Sequence, residues 1–347
     1  MESIESRNAI AAIVETAIGD ENRAKSRWMA SAPDFDPLEE WGRRFAVAGR
    51  LTLNFHPDRR GRDGRTVAAG LAGDGTYSSQ WITGISAGSR SALHGGDRNR
   101  FEHKYFAGAY DDAVPSSGLH PVYGALDLLY DEHGGAPRFG SSYVVLKSHV
   151  RERTTLSAGD SHANPTDVGT FGYPWSILAS LSEQAAHANL LNRHLDVHAL
   201  EAALRGGYRS ERASRDLDGY IEAQVHGVVS LADDVEAIVL DPSFRGDDVE
   251  YEIAAAAAQF GFYVEWHRGT ELAVHDVPDD FRGATMPALA RKVAGANGVL
   301  NARAIGAAMA SEPFVKQNLL GDSPESNLQQ LKYLWHTLLA FGDDAVS

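Results

Sequence analysis

The chain has 347 residues, and its 32 basic and 47 acidic side chains give a formal net charge of −15. That length suits one large domain or two moderate ones, and 43% hydrophobic with 23% charged residues is a globular composition, not a disordered one. The absence of cysteine excludes disulfides, iron–sulfur clusters, thiolate zinc sites and cysteine nucleophiles, and the acidic balance argues against nonspecific nucleic-acid binding. No apolar run reaches the ~20 residues a membrane helix needs. The N-terminus lacks a basic region with a small-residue cleavage site. The expectation is a soluble protein, cytoplasmic or a secreted effector, with no readable signal peptide and no membrane partner.

In chain order, Ile10, Ile13, Val14, Ala17 and Ile18 form one apolar stripe, which predicts a helix within residues 1–30 closed by Gly19. A hinge with Pro and Asp runs from Ala32 to Pro37. Strands are expected at Arg50–Phe55, Tyr77–Ile82, Ser141–Lys147, Gly219–Val225 and Val235–Leu240. Asp248–Phe260, with five consecutive alanines and a stop at Gly261, reads as a helix. Phe262–Trp266 follows as a strand, so residues 235–266 suggest a βαβ-like unit. Residues 84–140 show little periodicity but many glycines and aromatics, which favours an ordered, ligand-covering segment. Leu328, Leu331, Leu334, Trp335, Leu338 and Leu339 mark a C-terminal amphipathic helix starting near Ser323-Pro324. The expected division is an N-terminal helical cap (1–44), a catalytic body (45–270) and a C-terminal helical region (271–347).

The sequence contains no G-x-x-x-x-G-K-[ST], no G-x-G-x-x-G and no HExxH. Gly84-Ile85-Ser86-Ala87-Gly88 matches a nucleophile elbow, but the segment after it does not read as a helix, and a Gly-rich turn explains it as well. His187, His194 and His198 would share a face on a continuous helix. Only the His194/His198 pair could reach one ion, and a wet helix face is the simpler reading, so no metal is expected.

The strand ends carry more chemistry. Asn54-Phe55-His56-Pro57-Asp58-Arg59 puts an imidazole and a guanidinium just past the first strand of the body. Glu222, Gln224 and His226 alternate with Ile221, Ala223 and Val225, so the three polar side chains share one strand face. They point either to solvent from an edge strand or into a cleft. Chemistry favours the cleft. A carboxylate flanked by an amide can stabilise an oxocarbenium-like sugar centre, and an arginine fork can hold phosphate oxygens. Such a set suits cleavage of an N-glycosidic bond in NAD.

Gly95-Gly96-Asp97-Arg98 could form an anion nest or a plain turn. Pro137-Arg138-Phe139-Gly140 places an arginine where it could stack on a nicotinamide or adenine ring. Arg153-Thr154-Thr155 and Gly159-Asp160-Ser161 read as structural.

Taken together, TLNFHPDR, TGIS, GGDRNRFE, YGALDL, PRFGSSYVVLK, RTTLSAGDS and YIEAQVHG resemble the bacterial proteins carrying the domain of unknown function 3626, over about residues 45–270. The order of a His/Arg strand end, a Ser/Thr-bearing strand and a late Glu-x-Gln strand resembles the ADP-ribosyltransferase scheme. CteC-type effectors, which modify a threonine of ubiquitin, are similar. The resemblance implies an α+β fold: an ADP-ribosyltransferase-like split sheet cleft with flanking N- and C-terminal helices. It implies a bacterial effector or toxin that consumes NAD as a substrate and modifies a protein acceptor, with ubiquitin a candidate. Glu222 would be the catalytic carboxylate. His56, Arg59, Ser79, Thr83, Ser86, Arg138, Gln224 and His226 would bind or buttress the NAD. Glu-x-Gln stands where that scheme has Glu-x-Glu or Gln-x-Glu, and Thr-Gly-Ile-Ser where it has Ser-Thr-Ser. The residues also admit a second reading, an RNase-like hydrolase using His56 and His226, with His267 possible, as acid and base.

Overall fold

Alternating polar and apolar residues organise the molecule around one large sheet. The computed structural model describes residues 3–32, 37–85, 92, 94–114, 117–210, 216–311 and 324–345. Within them the strands in chain order are β1 (Arg50–Phe55), β2 (Thr76–Tyr77), β3 (Val122–Asp127), β4 (Ser142–Leu146), β5 (Thr154–Ser157), β6 (Val168–Thr170) and β7 (Ile221–Val225). They continue with β8 (Val229–Ser230), β9 (Val235–Leu240), β10 (Tyr263–Trp266), β11 (Thr270–Ala273), β12 (Val299–Leu300) and β13 (Asp343–Asp344). Eight of them form one sheet in the order β10-β9-β4-β1-β3-β7-β5-β6, antiparallel except for the β9–β10 pair. The α+β class holds. The expected split of the sheet is replaced by one ladder, unbroken among the described residues, because β3 pairs β1 on one side and β7 on the other.

Register decides which side chains share a face. Tyr123 pairs with Gln224, and Ala125 with Glu222. Thr155 and Ser157 pair with Gln224 and Glu222 from β5, and Thr52 pairs with Ala125 from β1. Directly opposed residues point the same way, so Thr52, Asn54, Tyr123, Asp127, Thr155, Ser157, Glu222 and Gln224 lie on one face. Leu51, Leu53, Leu126, Val144, Leu156, Ile221, Ala223 and Val225 lie on the other, in the main buried cluster. Burying each large aliphatic there contributes about 1.5–3 kcal/mol. That apolar face holds the sheet against its helices and leaves the polar face for the site.

The same cluster runs from Ala24 and Trp28 through Phe45 to Leu334 and Leu339, so residues of all three expected segments pack together. The first helix (Ile4–Ser31) does not end at Gly19. Ala24 and Trp28 continue its buried stripe, and Arg27 binds Asp167 and Glu183, so tertiary contact outweighs the glycine. Trp28 stacks among Trp41 and Trp175 at centroid distances of 5.6 and 6.5 Å. Of the proposed hinge, residues 33–36 lie outside the described residues.

Other expectations divide in the same way. The unit β9, helix Asp248–Phe260 and β10 is parallel as expected, with Gly261 left-handed at φ +81° past the helix end. The expected strand Tyr77–Ile82 is instead a two-residue strand followed by a short helix, Gln80–Thr83, because Ser79 takes the N-cap conformation and Gly84 the left-handed C-cap. Residues 84–140 hold more regular structure than their periodicity suggested: helix Asp97–Tyr105, strand β3 and the 3-10 turn Pro137–Phe139. Gly124 disguises β3. A Cβ there would lie 2.3 Å from the Thr52 carbonyl oxygen, so only glycine lets β1 and β3 approach. The three histidines at 187, 194 and 198 share no helix, since one helix ends at Ala186 and Asp196 caps the next, Val197–Leu204.

Candidate functional site

The polar face of the sheet lies under a cavity of about 300 Å³. His56, Arg59, Ser79, Thr83, Arg138 and Glu222 all line it. Glu222 is level with Thr52 across two strand spacings, and His56 follows the end of β1 at Phe55. β7 is an inner strand paired on both sides, so Glu222 looks into the cavity and not out from a sheet edge.

At one pole the Glu222 carboxylate is 4% exposed. It accepts from Gln224 Nε2 at 3.0 Å and from the Ser161 backbone N–H at 3.2 Å. Burial raises its pKa to about 7; Arg98 opposes that and Asp160 adds to it. Arg98 reaches in from the helix Asp97–Tyr105, stacks over Tyr123 at 3.6 Å and donates to Ser161 Oγ at 3.2 Å. Burial disfavours its charge, yet Tyr123, Glu222 and Glu102 together hold it firmly protonated.

Glu102, one turn on and 1% exposed, accepts from Trp81 Nε1 and Tyr123 Oη, both at 3.1 Å, and pairs with His120 Nδ1 at 2.6 Å. Tyr220 and Phe139 contribute ring surface, edge to face at 5.8 Å.

The other pole is cationic. Arg59, Lys332 and Arg138 come from three places: the loop after β1, the C-terminal helix (Pro324–Phe341) and the Pro137–Phe139 turn. Burial lowers the Lys332 pKa to about 7, aided by Arg59 and then Arg138. His56 is brought down to about 3 by burial, then by Arg59, Lys332 and His336, so its imidazole is neutral. Trp335 braces this pole: its ring meets His56 edge to face at 5.1 Å, and its Nε1 donates to the Pro137 carbonyl at 3.0 Å. Arg138 pairs with Asp160 and Asp218, which ties it toward the Glu222 end, and its guanidinium lies 5.1 Å from the Phe139 ring.

Ser79 and Thr83 line the cavity without contacting either pole, and the remaining expected site residues fall elsewhere. Ser79 Oγ is buried with no hydrogen-bond partner among the described residues, and Thr83 Oγ1 caps its own turn on Ser79 O at 3.2 Å. Ser86, with the core of the Gly84–Gly88 motif, lies outside the described residues. Gln224 and His226 are buried beneath the cavity and do not line it: the first supports Glu222, and the second sits among Tyr110 and Phe106. His267 is also away from the cavity, bonded to Ser141 O and to the Gly269 N–H. Thus only His56 of the three acid–base histidines lines the cleft.

Gly159-Asp160-Ser161, expected to be structural, faces Glu222, because the β5–β6 connection folds back over β7. Lys332 carried no sequence signal, since its position depends on long-range packing, and Tyr123 stood out only as one of the aromatics of residues 84–140. Gly96 caps the helix that delivers Arg98, and Arg100 turns back to Asp97 and Gly95 O.

The fold and cleft define a mixed α+β protein with a buried carboxylate and a cation cluster facing each other across one sheet face. The chain belongs to the family described as "Protein of unknown function (DUF3626)", whose pattern matches residues 50–341. That match reaches past residue 270 and includes the C-terminal helix that supplies Lys332. The chain is similar to the "Gene 2 protein" of Mycobacterium phage L5, 28% identical over 171 residues, 49% of this chain and 59% of the phage protein. It is also similar to the "Gene 2 protein" of Mycobacterium phage D29, 30% identical over 182 residues, 52% and 64% of the two chains. The chain therefore spans less than two thirds of either phage protein.

Proposed function

We propose that the cleft binds NAD and that the protein transfers its ADP-ribose to a protein side chain on an ADP-ribosyltransferase-like body. The single observation that carries this reading is the facing of Glu222 and the Arg59–Lys332–Arg138 cluster across one cavity. The cations match a diphosphate, and the Tyr123, Tyr220 and Phe139 rings offer surface for a nicotinamide. The carboxylate stands where a ribosyl cation would form. The C1′–nitrogen bond breaks, nicotinamide leaves with the electron pair, and ionised Glu222 stabilises the oxocarbenium centre. An acceptor hydroxyl then attacks C1′ and its proton passes to Glu222. The resemblance of the sequence makes a threonine of ubiquitin the first acceptor to try.

The test has two parts. NAD should raise the melting temperature of the protein, as any ligand of the native state must. Labelled NAD should then transfer label to ubiquitin or to lysate proteins, and Glu222→Gln should lower that transfer by at least about 100-fold while leaving the fold intact. A melting temperature indifferent to NAD, or full transfer by Glu222→Gln, would remove the proposal.

A further inference from the structure

Behind Glu222 a chain of neutral groups runs away from the cavity into the sheet. Gln224 Nε2 reaches Glu222 Oε1 at 3.0 Å and Ser157 Oγ at 3.3 Å. Gln224 Oε1 accepts from Thr155 Oγ1 at 2.9 Å, the same oxygen lies 2.9 Å from His226 Nε2, and His226 Nδ1 lies 2.7 Å from Tyr110 Oη.

Proton counting gives every link one direction. Ser157 spends its only hydroxyl proton on the Gly159 carbonyl at 3.0 Å, so toward Gln224 it can only accept. The group facing Ser157 and Glu222 is therefore the NH₂ of the amide, and Oε1 faces Thr155. Thr155 uses its single proton on that oxygen, so His226 must carry its proton on Nε2 and donate to Thr155. Nδ1 is then bare and accepts from Tyr110. Burial, and next Arg153, depress the His226 pKa to about 3, so the imidazole stays neutral and the direction holds from mildly acidic to alkaline pH.

We infer that Thr155 and His226 are positioning residues: they lock the Gln224 amide in the orientation that donates to Glu222 and so favour the ionised form of that carboxyl and aim it into the cleft. The role assigned to the carboxylate rests on the function proposed above; the lock itself does not. Without the Thr155 hydroxyl, Gln224 Oε1 loses its donor, and the amide can turn its oxygen toward Glu222 once Ser157 redirects its proton from the Gly159 carbonyl to that oxygen. Two facing oxygens then favour the protonated acid. The other charged or titratable groups facing Glu222 are Arg98 from the helix Asp97–Tyr105, Asp160 from the β5–β6 connection, and Tyr105, Tyr123 and Tyr220. None of them is altered by a change at Thr155, so the movement can be assigned to the amide.

The experiment follows the Glu222 carboxyl directly, by ¹³C NMR titration of glutamate-labelled full chain without NAD, with the signal assigned through Glu222→Gln. Thr155→Val should raise the midpoint by about one pH unit, and Thr155→Ser, which keeps the hydroxyl, should restore it. Should the valine variant not fold, Thr155→Ala removes the same oxygen with less bulk. His226→Phe should move the midpoint in the same direction by less, because Thr155 can still donate. If NAD transfer is also observed, its pH profile should shift upward with the titration. A Glu222 midpoint unchanged in a folded Thr155→Val or Thr155→Ala variant overturns the inference. A protein indifferent to NAD whose midpoint still moves overturns only the function proposed above.

Discussion

Arg98 lies over Tyr123 with its guanidinium carbon 3.6 Å from the ring centroid, and the Tyr123 hydroxyl donates to Glu102 at 3.1 Å. The stack places one cation between two buried carboxylates, Glu222 and Glu102, both of which favour its charge. Arg98→Met keeps an apolar stem over the ring and removes that charge. The titration of Glu222, already raised by burial, should move upward by a further 1–3 pH units, the usual influence of a close opposite charge. Arg98→Lys should recover only part of it, because a lysine cannot stack flat and reach Ser161 together. A Glu222 midpoint that stays in place in Arg98→Met would show that Ser161 and Gln224 alone support the carboxylate.

Local pattern revealed much of the fold. Period-2 alternation in Ile221–Val225, the apolar run Val235–Leu240 and the alanine helix ending at Gly261 each carry their own signal, and each was legible. β3 was not, because its glycine answers to the Thr52 carbonyl on another strand, a demand no neighbour in sequence expresses. The helix Asp97–Tyr105 was missed because its sequence DRNRFEHKY has only one short apolar stripe and is buried on few residues, Phe101 and Glu102. The site divides along the same line. Glu222, His56 and Arg59 stand out at strand ends, whereas Lys332, Tyr123 and Ser161 join them only through sheet order and the return of the C-terminal helix.

The β1–β3 contact gives a sharp stability test. A Cβ at position 124 would meet the Thr52 carbonyl oxygen at 2.3 Å and Leu53 Cδ2 at 2.5 Å, and the first of these obstacles is backbone. Gly124→Ala should therefore cost about 3 kcal/mol, the upper end for overpacking, or prevent folding. Gly246→Ala, with open space around its Cβ but φ +73°, should cost only the strain of the left-handed backbone, about 1–2 kcal/mol. Urea denaturation of both variants checks the order. A Gly124→Ala protein as stable as Gly246→Ala would mean that the two strands can separate at little cost.

Lys332 is buried, beside Arg59 and Arg138. Its pKa of about 7, against 10.5 for a free lysine, means that between those two values the unfolded chain holds a proton that the native protein lacks. Native stability is lost as pH falls from 10.5 toward 7, and Lys332→Met removes that penalty. The variant should be more stable at pH 7 by about 2–4 kcal/mol, seen as a higher melting temperature. It should also bind NAD more weakly, since a cation of the phosphate pole has gone, so that the melting-temperature rise caused by NAD shrinks. Gain in stability with loss of binding is the signature of a site built at the expense of the fold. A variant that loses stability at pH 7 would instead mark Lys332 as a structural residue.

Acid sensitivity follows from the buried histidines. His56, His226, His267 and His336 are all brought down to about 3, in each case first by burial. The unfolded chain protonates them near 6.5 while the native protein does not, so their stabilising contribution is complete above 6.5 and is lost as pH falls toward 3. Each removes about 1.4 kcal/mol per pH unit through that window. Four carboxyls act in the opposite sense, Asp241 among them, raised first by burial. Asp58 and Glu222 are raised to about 7 and Asp127 to about 6, each first by burial, so between their unfolded values and these the native state holds the extra proton. From pH 6 down to about 4.5 the two groups largely cancel, and stability should vary little. Below about 4 the unfolded carboxyls protonate as well, the cancellation ends, and the histidines act unopposed. Asp131, which burial alone would raise, is held well below the usual carboxylate range by His133 and Arg193 and adds a further loss there. Calorimetry from pH 7 to pH 3 should therefore show a melting temperature that is nearly flat and then falls steeply below about pH 4. A steady decline starting at pH 6.5 would mean that Glu222, Asp58 and Asp127 are ionised in the native protein, and that the cleft carboxylate is wetter than its 4% exposure implies.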